Sequence, residues 1–195
     1  MTKHQRGMKE PVFTIGHSTR SLEELVELLR AHGVKRVIDI RTIPRSRHNP
    51  QYNRETLGPA LREAGIGYVH LKDLGGLRRA KADSKNTGWR NASFRGFADY
   101  MQTPEFKAGL ERAIELAETK PSALMCAEAV PWKCHRSLVS DALVARSISV
   151  RHIVGRGQAQ EHKLTPFAHV RGKHVTYPGE ESAQTVMEYP APRRR

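Results

Sequence analysis

Short apolar segments, each followed by an amphipathic helical pattern, are the feature that most limits what this chain can become. Val12-Phe-Thr-Ile15, Arg36-Val-Ile-Asp-Ile40, Tyr68-Val-His-Leu71, the stretch around Leu124 and Val150-Arg-His-Ile-Val154 all read as strands. Strands separated by helices cannot pair through tight hairpins. Each must cross back over the sheet, which gives parallel pairing with helices on both faces. The expected fold is α/β: a three-layer domain over residues 11–155 with a mostly parallel sheet of about five strands. An irregular basic extension, partly ordered, is expected over residues 156–195. At 195 residues the chain suits one buried core plus a tail.

The helices carry their own boundary signals. Ser21 followed by Glu24 forms a capping-box pattern, Leu22, Leu25, Val26, Leu28 and Leu29 make an apolar stripe, and Gly33 marks the stop. Helical patterns follow from Arg54 to Ala64, around Phe94 to Met101, and from Pro104 to Glu118 with Thr103 as cap. Asp73 to Arg90 lacks periodicity and reads as a long basic loop, a kind that is usually functional or mobile. Beyond Gly155 only a short extended piece near His174 to Tyr177 is suggested.

Reactive side chains gather where strands end. His17 and Ser18 follow the first strand, and Asp39 and Arg41 close the second. Ala123-Leu-Met-Cys-Ala-Glu-Ala-Val-Pro-Trp-Lys-Cys-His-Arg136 leads from a buried strand through Cys126, Glu128, Cys134, His135 and Arg136 into a helix. In a parallel sheet these positions share the carboxyl edge, where ligands bind. The helix start that carries Cys134, His135 and Arg136 favours an anion through its unpaired amides and its dipole. Arg41 and Arg136 are candidates for forked contacts to a phosphate or carboxylate.

Charge points the same way. Thirty-three Lys and Arg against 20 Asp and Glu leave a net +13, which favours phosphates, nucleotides or nucleic acid as partners, although a solubilising basic surface reads equally well. The apolar runs are too short to cross a bilayer, and Met1 to Glu10 lacks the apolar core of a secretory signal. A cytoplasmic location without membrane association is expected, with Cys126 and Cys134 as reduced thiols. Neither a phosphate-cradling glycine loop nor a dinucleotide fingerprint is present, so the cofactor is left unknown.

The run Gly16-His-Ser, Asp39-x-Arg41 with Pro44 and Ser46 behind it, Leu74-Gly-Gly76, and Cys126-x-Glu128 followed by Cys134-His-Arg136 closely resemble the domain of unknown function 488 family. The likeness covers about residues 12–155, with His162-x-Leu-Thr165 and Tyr177-Pro178 as further pieces. It implies a small α/β fold and a site built from the matching polar positions, and it names no reaction.

Each candidate has a structural alternative. Asp39 reads also as a helix cap or as an internal partner for Arg41, His17 as a capping or packing residue, and Cys126 as an inert core thiol. Glu128, directly after a buried strand, must be solvated, paired or functional. Trp89 reads as a cover for the crevice or an anchor for the long loop, and Pro131 and Trp132 as loop-shaping residues.

Three function classes follow. The first is an enzyme or binding protein for a nucleotide-like or phosphorylated substrate. There His17, Ser18, Asp39, Arg41 and Arg136 bind, Glu128 or His135 moves a proton, and Cys134 or Cys126 attacks as a thiolate. A hydrolase or transferase is the leaning, glycosidic hydrolysis with Glu128 among the variants. The second is a nucleic-acid-binding module, favoured by the charge and by Arg193-Arg194-Arg195 but not by an aromatic content of 6%. The third is a metal or thiol redox site at Cys126, Cys134 and His135. The adjacency of Cys134 and His135 is unlike the paired spacing of structural zinc ligands, so no metal ligand is assigned.

Overall fold

Alternation along the central strands decides the layering. In β1 (Val12–Gly16) Phe13 and Ile15 point to one face and Val12 and Thr14 to the other. In β4 (Ser122–Cys126) Ala123 and Met125 oppose Leu124 and Cys126. Both strands are buried along their whole length, as strands covered on two faces must be. The computed structural model describes residue 8 and residues 10–179.

The chain runs through α1 (Leu22–Ala31), β2 (Arg36–Asp39), α2 (Arg54–Glu63) and β3 (Gly67–His70), then α3 (Ala92–Tyr100) and α4 (Pro104–Thr119) before β4. α5 (Arg136–Val144) and β5 (Val150–Ile153) follow. The sheet order is β3-β2-β4-β1-β5, all parallel, and a sixth strand, β6 (Gln160–Glu161), adds antiparallel at the β5 edge. α1 and α2 cover one face through Leu25, Leu28, Leu29, Leu57 and Leu61. α3, α4 and α5 cover the other through Phe97, Phe106, Leu110, Leu138 and Val139. This is the expected three-layer α/β fold.

Local signals act as the sequence implies. Ser21 Oγ accepts the Glu24 amide at 3.1 Å, Thr103 Oγ1 accepts that of Phe106, and Gly33 leaves α1 at φ +69°. Among the described residues no helix is long and apolar enough to cross a membrane.

The long basic loop and the segment after Gly155 are both pinned. Asp99 accepts hydrogen bonds from the Lys81 amide, the Ser84 hydroxyl and the Asn86 side chain, so one buried carboxylate holds three points of a loop without secondary structure. Asn86 Oδ1 in turn accepts the Tyr177 amide, and Trp89 packs among Phe94, Phe167 and Tyr177, in the anchoring role rather than over the cleft. Residues beyond Gly155 form β6 and the hairpin β7–β8 (His169–Arg171, His174–Thr176), and send Val175 and Tyr177 into the α3–α5 core. The terminal arginines, Arg193 to Arg195, lie outside the described residues.

Asp141, buried in α5, gathers that segment. It accepts the Thr165 amide and hydroxyl, the Tyr177 hydroxyl at 2.7 Å and His162 Nε2 at 2.9 Å. A carboxylate only accepts, so His162 carries its proton on Nε2. In the neutral ring its Nδ1 then accepts from His152 Nε2 at 2.9 Å, and His152 Nδ1 accepts the Thr14 hydroxyl at 2.7 Å. The relay satisfies every polar atom along it, from Asp141 to Thr14 in β1.

Candidate functional site

The carboxyl ends of β1, β2 and β4 open onto a cleft of about 690 Å³. Three connections form its walls: the loop after β1, the Arg41 to Pro50 loop after β2, and the β4–α5 connection with its 3-10 turn at Pro131–Lys133. Gly76 and Leu77 from the long loop and Ser93 and Phe94 at the start of α3 close the far side.

Seven of the nine sequence candidates line this cleft: His17, Ser18, Arg41, Cys126, Glu128, Cys134 and His135. Glu128 and Arg41 thus share one edge of the sheet. The other two, Asp39 and Arg136, are not on the wall.

Asp39 is fully buried and receives Arg41 through Nε to Oδ1 at 2.9 Å and Nη2 to Oδ2 at 2.6 Å, with the Tyr68 hydroxyl donating to Oδ2 at 2.7 Å. Burial, reinforced by that carboxylate, pushes the Tyr68 pKa above its usual range. Arg41 Nη2 also donates to the Tyr52 carbonyl, so only Nη1 is left toward the cleft, 3.3 Å from His17 Nε2. His17 donates from Nδ1 to the Ser18 carbonyl and stacks on Tyr52 at 3.9 Å. Burial, helped by the Arg41 guanidinium, lowers its pKa to about 4, so it is a neutral acceptor for Arg41.

Arg136, expected to offer its fork to a ligand, is 1% exposed and turned into the protein. Its Nη2 donates to the backbone carbonyl of Glu128, while Nε is buried without a hydrogen-bond partner. Gly16 makes this possible. A Cβ there would collide with that carbonyl and lie 2.8 Å from Arg136 Nη2. Arg136 therefore shapes the loop that presents Glu128, whose own side chain is exposed on the wall.

The thiols and the imidazole form one corner. Cys126 Sγ and Cys134 Sγ lie 3.9 and 3.7 Å from His135 Nδ1, and both cysteines are free and buried. Contact with the Cys126 thiol holds Cys134 well below the usual thiol range despite burial, with His135 and Arg136 adding to it. The same contact, with burial, pushes Cys126 up. The Arg136 amide, the first of α5, donates to Cys134 Sγ at 3.5 Å, so the helix start expected to hold an external anion is turned on a sulfur of the chain itself.

Sequence reasoning passed over three contributors. Lys133, between Trp132 and Cys134, is exposed on the wall, and Arg45 lines the cleft from the loop after β2, in a 3.8 Å surface pair with Glu55. No periodicity says which loop cation faces inward. Gly76 is the third. Any side chain there would run into the His135 ring. Ile43 and Leu77, on the wall, are exposed by 61% and 72% and add an apolar edge to a charged cleft.

A family model described as a domain of unknown function, DUF488, matches residues 21–143. The chain belongs to the DUF488 family. The matched region carries Asp39, Arg41, Cys126, Glu128, Cys134, His135 and Arg136, while His17 and Ser18 lie just before it. No curated protein and no solved structure matches the chain. The motifs noted in the sequence meet in space: Gly16 against Glu128 and Arg136, Gly76 against His135, and His162, Thr165 and Tyr177 on Asp141.

Proposed function

We propose that the cleft binds a nucleotide-like or otherwise phosphorylated small molecule and that the protein is an enzyme, a hydrolase or transferase, acting on it. The observation that carries this reading is the meeting of Arg41, Arg45 and Lys133 with an exposed carboxylate and a thiol–imidazole corner in one cleft of about 690 Å³. That volume suits a small organic ligand. Arg45 and Lys133 hold the anion, with Arg41 Nη1 in the same cleft, and the exposed Ile43 and Leu77 take a base or other flat apolar group. Glu128 moves the proton, and the corner of Cys126, Cys134 and His135 is the reactive end. Asp39 and Arg136 act from behind the wall by fixing Arg41 and the Glu128 loop.

The test is calorimetry against a panel of nucleotides and phosphosugars. Lys133→Ala and Arg45→Ala should each weaken binding by about 1.5–3 kcal/mol, the range for a hydrogen bond to a charged group. Failure of the whole panel, or equal affinity of both variants and the wild type, overturns the reading. Salt-dependent oligonucleotide binding that ignores both substitutions would move the protein to the nucleic-acid-binding class.

A further inference from the structure

We propose that Cys126, Cys134 and His135 together bind one divalent cation of the zinc type, with its fourth coordination position open to the cleft. The inference deepens the cleft reading and rests on it only for what the cation would act upon. The site itself stands on geometry. Zinc sits about 2.3 Å from thiolate sulfur and about 2.0–2.1 Å from imidazole nitrogen, so tetrahedral angles separate sulfur from nitrogen by roughly 3.6 Å and sulfur from sulfur by roughly 3.8 Å. The two sulfur–Nδ1 separations are 3.7 and 3.9 Å, and all three donor atoms lie within 4.8 Å of one another. Small side-chain adjustments bring them onto one ion.

The surroundings of His135 supply an independent observation. Its Nε2 lies 3.2 Å from the Ile40 carbonyl, which can only accept, so the ring proton sits on Nε2 and Nδ1 turns its lone pair toward the sulfurs. Metal-bound imidazoles are held in this way, with the second nitrogen donating to a carbonyl or carboxylate. Phe97, 5.0 Å from the ring centroid, and side-chain-free Gly76 hold the ring in place. The Arg136 amide on Cys134 Sγ is the matching outer contact to a thiolate ligand.

Among the described residues no fourth Cys, His, Asp or Glu joins the group, and all three members line the cleft. A structural zinc site is closed by four protein ligands, whereas three ligands and an open position are the catalytic pattern. Paired ligand spacing in the sequence belongs to closed sites. It is not required where Cys126 comes from the end of β4 and Cys134 and His135 come from the entry to α5. In that position the cation would polarise an oxygen of the bound ligand or of water, next to Glu128.

The full-length protein, reduced and stripped with a chelator, should be titrated with Co²⁺ alone. Sulfur-to-cobalt charge-transfer absorption and tetrahedral visible bands should rise to an equimolar end point and collapse on addition of Zn²⁺. Cys126→Ser and Cys134→Ser should lose the charge-transfer absorption of the missing sulfur, and His135→Asn should weaken uptake. Alkylation of the unmodified protein with iodoacetamide needs no variant, and Zn²⁺ should protect both thiols together. Absent charge-transfer bands, unchanged bands in Cys134→Ser, or unprotected thiols would overturn the proposal. The nucleotide and phosphosugar panel should be run on stripped and loaded protein. Ligand binding without cobalt uptake sinks the metal site alone, and cobalt uptake without ligand binding sinks the substrate reading alone.

Discussion

Asp39 and Arg41 form a two-pronged ion pair sealed inside the protein, with Nη2 2.6 Å from Oδ2 and Nε 2.9 Å from Oδ1, the residues being 0% and 6% exposed. The pair sets the cleft floor by fixing Arg41 against His17 and the Tyr52 carbonyl. Asp39→Asn leaves a buried guanidinium without its counter-charge and should cost about 3–5 kcal/mol in urea denaturation. Arg41→Lys keeps the charge and should cost less, while losing the fork. Equal stability of Asp39→Asn and the wild type would contradict this account.

Gly16 tests the inward placement of Arg136. A methyl group at Gly16 meets a backbone carbonyl, which has little room to yield, so Gly16→Ala should lower stability by at least about 1–3 kcal/mol and shift the thermal midpoint accordingly. Gly157, where an added methyl would meet nothing within 4 Å, is the control, and Gly157→Ala should melt like the wild type. Matching midpoints for the two variants would mean the Glu128 loop is not packed as described.

Asp141 predicts how the segment after Gly155 is held. Tyr177→Phe removes one donor from a buried carboxylate and should cost about 1.5–3 kcal/mol, the range for a hydrogen bond to a charged group. Limited proteolysis of that variant should cut first within residues 156–179. Unchanged stability and an unchanged cleavage pattern would show that the anchoring is apolar alone.

Two buried imidazoles set an acid limit on stability. His17 and His152 are each lowered from 6.5 to about 4, chiefly by burial. Between those values the unfolded chain binds protons that the folded chain refuses, so stability falls as pH drops from about 6.5 toward 4 and levels off above that window. Arg41 and Asp39 face His17, while Asp141, His162 and Arg136 act on His152. His152→Gln should flatten the profile in urea midpoints measured across this range. An unchanged slope would sink the assignment.

Much of the fold was legible because its causes are local. Short continuous apolar runs marked the strands, Ser21 and Thr103 marked helix starts, and strands separated by helices left parallel pairing as the simple solution. β6 and the β7–β8 hairpin were less legible. Each strand is two or three residues long and exposed except at Val175 and Thr176, so no periodicity can accumulate.

By itself the sequence determined the layers, the strands, and therefore the edge of the sheet on which the reactive residues gather. Only the tertiary structure decided which of them face the cleft. A guanidinium at the end of a long side chain can turn outward or inward at similar local cost, and the choice falls to partners distant in the chain. Tyr52 and Tyr68 join Asp39 in drawing Arg41 inward, the Glu128 carbonyl turns Arg136 past Gly16, and Gly76 seats His135 against two thiols. Asp141 looks like an ordinary polar residue within its helix until His162, Thr165 and Tyr177 arrive from beyond Gly155. Periodicity reports the face a residue takes within its own element, whereas hydrogen bonding between distant elements is settled only once the chain has closed on itself.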